Sequence, residues 1–116
     1  MRTNSPHGGA LVNRLLTGAE RQTALDRARE LRRVRLTQKE SSDLEMLAVG
    51  ALSPLTGFMG EADYRSVVDS MRLESGLIWS LPVTLAVSAA EADSIRPDQE
   101  IALEGPDGTL LALMYV

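Results

Sequence analysis

Apolar residues recur at two different periods along this chain, and the change falls near Leu77. Ala24, Leu25, Ala28 and Leu31 stand three and four apart, a spacing that puts them on one face of a helix. Thr17 ahead of them, with Glu20 three residues on, offers a reciprocal cap, so a helix is predicted from about Ala19 to Arg33. A second stripe, Leu44, Leu47, Ala48 and Ala51, follows Thr37 and Glu40, which repeat the capping pattern. Ser42 with Glu45 is an alternative start, and Gly50 is a natural stop. A third stripe, Tyr64, Val67, Val68 and Met71, predicts a helix from Glu61 to about Met71, with Glu61 and Asp63 in the turn where the macrodipole favours acids.

Beyond Leu77 the period falls to two. Leu81, Val83, Leu85 and Val87 alternate with smaller or polar residues, which predicts a strand, and Pro82 near its start marks an edge. Ser88 and Glu91 cap a short helical turn. Ile101 and Leu103 alternate in a further strand, Pro106-Asp107-Gly108 forms a tight turn, and Leu110 to Val116 returns as the second arm of a hairpin. Leu11 to Leu16 and Val34 to Thr37 are short strand candidates. Helices come first and strands second, which is an α+β order rather than a run of βαβ units. The final apolar run, "LLALMYV", leaves a hydrophobic edge, so more chain is expected to close the sheet.

Between the second and third helices lies "LSPLTGFMG", Leu52 to Gly60, with a proline, two glycines and the only phenylalanine of the chain. Pro54 disfavours helical geometry at Ser53 and so separates the two helices. Gly57 and Gly60 are available for positive φ or for close approach. Leu55, Phe58 and Met59 have the size to fill the junction between helices or to dock on another domain. Packing is expected over ligand contact, with Phe58→Ala costing about 3–5 kcal/mol.

Composition narrows the function. At 116 residues the chain is one small domain, and Phe58, Tyr64, Trp79 and Tyr115 are its only aromatic residues, so the core falls to Leu, Val, Ala and Met. There is no cysteine, which removes disulfides, thiolate chemistry and cysteine-ligated zinc, and suits a reducing cytoplasm. No apolar run approaches the roughly 20 residues of a membrane helix, and Arg2 is followed by no apolar stretch of the secretory type. The net charge of −4 argues against non-specific nucleic-acid binding. Arg21, Arg27, Arg29, Arg32, Arg33, Arg35 and Lys39 nevertheless crowd one segment. That segment reads as a solvated helix face. Its rival reading is a contact for RNA or another anionic partner, but no aromatic platform for a base lies between Arg21 and Lys39.

Catalytic constellations are scarce. His7 is the only histidine and Lys39 the only lysine. A two-histidine metal site is therefore impossible, and no glycine-rich phosphate loop precedes the lysine. His7-Gly8-Gly9 reads as a flexible or tight approach to the first strand. The acidic pairs Glu61 with Asp63 and Glu91 with Asp93 sit at predicted helix starts, where capping explains them. The residues thus assign no catalytic, cofactor-binding or metal site.

A longer pattern goes further. Gly50, Ser53, Pro54, Leu55, Gly57, Phe58 and Met59 are followed by Tyr64, Val68, Met71, Arg72 and Leu73, then Gly76 and Trp79, then Pro82, Val83, Thr84 and Leu85. This order closely resembles the N-terminal region of the ATP sulfurylase (sulfate adenylyltransferase) family, and "PHGGALVNRLL" resembles that family's opening segment. The resemblance covers essentially the whole chain. It implies a PUA-like pseudo-barrel of short strands with flanking helices. It also implies a parent enzyme of sulfur metabolism that joins ATP (with magnesium) and sulfate into adenosine 5′-phosphosulfate and releases pyrophosphate. In that family a sulfate oxygen attacks the α-phosphate, and the nucleotide and sulfate are bound mainly by the following domain. That domain's Gln-x-Arg-Asn-Pro and His-x-x-His motifs do not occur here. Residues 1–116 are accordingly expected to be the N-terminal accessory domain, incomplete at its C-terminal end and inactive alone. Its partners would be the catalytic domain of the same polypeptide and other copies in a homo-oligomer. Ser53, Pro54, Leu55, Gly57, Phe58, Met59, Tyr64 and Trp79 are the residues expected to build its structural and interface surface.

Overall fold

Four helices and three strands follow one another as α1 (Gly18–Ala28), β1 (Arg33–Arg35), α2 (Gln38–Val49), α3 (Glu61–Ser70), α4 (Ala89–Ser94), β2 (Glu100–Glu104) and β3 (Leu110–Tyr115). They are seen in a computed structural model that describes residues 4–116, so Arg2 lies outside them. The chain divides into two compact units. One takes the residues up to Arg14 together with Asp43–Leu85, and the other takes Leu15–Ser42 and Ala86–Val116. The α+β order predicted from periodicity is the order observed.

The unit built from Leu15–Ser42 and Ala86–Val116 is organised by a three-stranded sheet of order β1-β2-β3. β1 runs parallel to β2, with Val34 opposite Leu103, and β3 runs antiparallel to β2, with Ile101 opposite Met114. Val34, Leu36, Ile101, Ala102 and Leu103 are buried around it, with Ala28 of α1. The hairpin forms as its turn residues dictate. Gly105 N donates to Thr109 O at 2.8 Å, and Gly108 sits at φ +85°, a region open to glycine. α1 is shorter than its pattern. The amides of Glu30 and Leu31 bond three residues back, to Arg27 and Ala28, and these tight turns end the helix. Thr17 makes no side-chain cap. The Arg21 amide bonds to the Thr17 carbonyl instead, and Gly18 has a left-handed φ of +58°.

Among its described residues the unit built around Asp43–Leu85 has no sheet. Its core is Leu47, Leu55, Val67, Leu73 and Val83, with Leu52, Phe58, Met59, Leu77 and Trp79 packed against them. The two strand predictions that begin in this unit fail. Leu81 to Val87 is extended but joins no ladder, and the alternation shows only as burial of Val83 beside an exposed Leu81. Leu11 to Leu16 likewise forms no strand. Its first part is held by single bonds, from Val12 N to Ser53 Oγ at 2.8 Å and from Arg14 N to Ala48 O at 2.9 Å. A two-residue period needs a neighbouring strand as well as an apolar face, and neither segment has one.

Candidate functional site

The corner after α2 is built by its special residues, though not all in the predicted roles. Gly50 ends the helix at φ +85°, and a Cβ there would meet Leu11 Cδ1 at 2.7 Å and the Val12 carbonyl at 3.0 Å. No other residue fits that position. Ser53 is buried, donates its hydroxyl to Gly50 O at 2.7 Å and accepts from Val12 N. The Ser53–Pro54 peptide bond is cis. Leu55 is in the core, while Phe58 and Met59 are half-buried against it, and Met59 N donates to Val83 O at 2.8 Å. Gly57 and Gly60 correct the prediction. Neither has a positive φ, and nothing stands within 4 Å of a Cβ at either. Close approach in this unit falls instead at Gly50 and at Gly8, whose Cβ would lie 3.0 Å from Pro54.

Trp79 is half-buried. Its amide donates to Met71 O at 2.9 Å and its indole to Leu81 O at 2.6 Å. His7 Nε2 donates to Ile78 O at 2.8 Å, and the His7 ring lies 5.9 Å from that of Trp79. The histidine therefore closes the opening segment onto the Trp79 turn. Tyr64 does not join the corner. It stands exposed on α3.

α3 turns its apolar stripe outward. Val67 is buried, and the half-buried positions beside it are Asp63 and Ser66, whereas Tyr64, Val68 and Met71 are exposed. Asp63 Oδ1 accepts the Glu74 amide at 2.8 Å, which satisfies the carboxylate on the inner side. An open groove of about 610 Å³ runs along the outer side, with Met59, Tyr64, Val68 and Leu85 in its lining and Arg65 and Asp69 at its polar margin. A second open groove, of about 670 Å³, lies over the corner between Pro54 and Asp63. The outward stripe was legible as a stripe but not as a surface. Its signal is the adjacent pair Val67 and Val68, which a helix sets about 100° apart, so that both cannot face one core squarely.

The basic segment is largely neutralised by carboxylates. Arg27 pairs with Glu100, Arg29 with Asp26 at 3.1 Å, and Arg33 and Arg35 with Glu104 at 4.0 and 3.1 Å. Hydrogen bonds from Arg27 and then from Tyr115 hold the Glu100 carboxyl below the usual carboxylate range. Four of the seven cations thus have acidic partners on α1 or β2, which weakens the case for a phosphate-binding face. Glu40 is the buried carboxylate of this unit. Its oxygens accept the Thr37 and Ala86 amides, both at 2.9 Å, while Thr37 Oγ1 accepts the Glu40 amide. The capping box read at Thr37 and Glu40 is therefore real and also ties down the approach to α4. Burial works to raise the Glu40 pKa, but these donors outweigh it and the net shift is downward. Ser88 and Glu91 also form their predicted capping box, so two of the three predicted boxes hold and the one at Thr17 does not.

Among the described residues no group of three His, Cys, Asp or Glu is placed to hold a metal ion. No helix among them is long and apolar enough to cross a membrane.

The fold is thus that of a small α+β domain, with a mixed three-stranded sheet in one unit and a helix-and-loop core in the other. The chain belongs to the PUA-like domain family, whose model matches residues 4–116. It is 67% identical over 112 residues to a sulfate adenylyltransferase of Symbiobacterium thermophilum, which is 97% of this chain and 28% of that relative. It is 49% identical over 110 residues to a probable bifunctional SAT/APS kinase 2 of Sorangium cellulosum, covering 95% of this chain and 19% of that protein. A solved hexameric APS kinase from Thiobacillus denitrificans superposes with a TM-score of 0.85 at 36% identity, over 97% of this chain and 22% of that one. The chain spans between about a fifth and just over a quarter of the length of these proteins.

Proposed function

We propose that residues 1–116 are the N-terminal PUA-like domain of a cytoplasmic sulfate adenylyltransferase, an accessory part that packs against the domain where ATP and sulfate react. The observation that carries this reading is the 67% identity across 97% of the chain to only 28% of a sulfate adenylyltransferase. Identity at that level across so small a share of the relative supports reading the chain as one domain of a larger nucleotidyltransferase. The hexameric description of the Thiobacillus denitrificans neighbour supports a homo-oligomeric parent. On this reading the domain supplies surface and positioning, and the electrostatic stabilisation of the transferring phosphoryl group belongs to the rest of the polypeptide.

The test uses pyrophosphate release that depends on both ATP and sulfate. The 116-residue chain is expected to show none. A chimera of this chain joined to the remaining residues of the Symbiobacterium thermophilum relative is expected to turn over. Sustained turnover by the chain alone, or an inactive chimera with an intact fold, would overturn the reading.

A further inference from the structure

We infer that the outward face of α3, formed by Tyr64 and Val68 with Met71 at its C-terminal cap, is the surface on which the rest of the parent polypeptide packs. The inference rests on the reading of the chain as one domain of a longer sulfate adenylyltransferase, and it names which face of that domain is covered.

Two observations carry it. First, α3 is inverted relative to an ordinary surface helix. It turns Asp63, Ser66 and Val67 towards its own unit, while Tyr64, Val68 and Met71 are 44%, 57% and 57% exposed. A helix with apolar residues on its solvent side is one that a further layer covers. Second, the open groove along that face is lined by Tyr64 and Val68 themselves, together with Met59 and Leu85.

Area and tethering decide the occupant. Three side chains exposed to this degree offer a few hundred Å², short of the roughly 800 Å² per partner of a stable complex between free proteins. A segment joined covalently works at an effective concentration near millimolar, where so small an apolar patch suffices. The relative that matches at 28% of its length carries the other 72% of its chain outside the match, so a tethered occupant exists in such a polypeptide. The groove beside the stripe, floored by Met59 and Leu85, would receive apolar side chains from it.

The chain has no cysteine, so a single Val68→Cys reports access to the stripe by maleimide labelling read on the peptide that contains it. Labelling is expected to be at least about tenfold slower in the chimera than in the 116-residue chain, the slowing that one decade of protection implies. Gln22→Cys, on the exposed side of α1, is expected to label alike in both. Equal labelling of Val68→Cys in both would overturn the inference. A chimera that is active but equally labelled would do so without touching the proposed function, which the unsubstituted chimera's turnover decides. Val68→Asp gives a second measure. It should leave the melting of the chain alone unchanged and lower the first transition of the chimera, and an unchanged chimera would overturn the inference. So would a chain that sediments as a dimer and becomes monomeric with Val68→Asp, because the occupant would then be a second copy.

Discussion

The two units of the molecule bury similar side chains by different means. In the unit of Leu15–Ser42 and Ala86–Val116, β2 lies between two partners, and Ile101, Ala102 and Leu103 are buried in sequence along it. In the unit around Asp43–Leu85, five side chains from two helices and three irregular segments meet with no ladder beneath them. The sheet unit sets carboxylates of β2 against its arginines. Apolar side chains stand exposed in both, Leu15, Leu16, Leu111 and Tyr115 in the sheet unit and Tyr64, Val68, Met71, Ile78 and Leu81 in the other. What separates them is the framework. In the sheet unit the strand pairing itself brings carboxylates of β2 to the arginines, and in the other unit single hydrogen bonds join the irregular segments around one apolar cluster.

A matched pair of truncations tests whether the irregular core is as closed as the sheet core. Leu55 and Leu103 are both buried, one in each unit. Leu→Ala at either is expected to cost about 2–5 kcal/mol in urea unfolding. Phe58→Ala should fall below the 3–5 kcal/mol read from the sequence, at about 2 kcal/mol, because the ring is only half-buried. If Leu55→Ala cost under about 1 kcal/mol while Leu103→Ala kept its full effect, the irregular core would be a loose cluster rather than a packed one.

The next effect is smaller and depends on pH. Glu40 accepts two backbone amides with its two oxygens. Glu40→Gln turns one acceptor into a donor facing an amide, at an expected cost of about 1–3 kcal/mol at neutral pH. The Glu40 pKa is depressed in the fold. Its contribution is therefore present above the unfolded-state pKa, near 4.3, and is lost as pH falls through the depressed value. Urea midpoints of the two proteins should converge on acidification below about pH 4. A difference of the same size at neutral and strongly acidic pH would show that Glu40 acts through its shape alone.

What could be read in advance follows the same division. The sheet unit was legible because local signals agreed there. The strand read at Ile101 and Leu103, the Pro106-Asp107-Gly108 turn and two of the three capping boxes formed, although Ala102 is buried with its neighbours and Thr17 makes no side-chain cap. In the irregular unit the apolar positions were found but their partners were not. Val83 is buried as its alternation implied, yet no strand lies beside it, and nothing local says whether an extended segment will find one. The stripe of α3 shows the same limit from the other side. Periodicity gives the direction in which apolar residues point, and it is silent on whether the surface they point to belongs to the same unit. Gly50 was legible as a helix stop, whereas its approach to Leu11, thirty-nine positions away, was not. The carboxylate partners of the arginines were hidden for the same reason, since Arg35 and Glu104 are brought together only by the pairing of β1 with β2.

That last pair gives the smallest expected effect. The Arg35 side chain is 62% exposed, and Glu104 faces Arg33 as well. Exposed ion pairs contribute little, because water screens them and ordering two long side chains costs entropy. Arg35→Ala should therefore change stability by about 0–1 kcal/mol, and raising the salt should erase most of the difference. Glu104→Ala removes the partner of both arginines, so its effect should exceed that of Arg35→Ala while remaining sensitive to salt. Urea midpoints at low and high ionic strength measure both. An Arg35→Ala cost as large as the Leu103 truncation, and independent of salt, would mean that the charged exterior is part of the framework and that the sheet unit is held by more than its strand pairing.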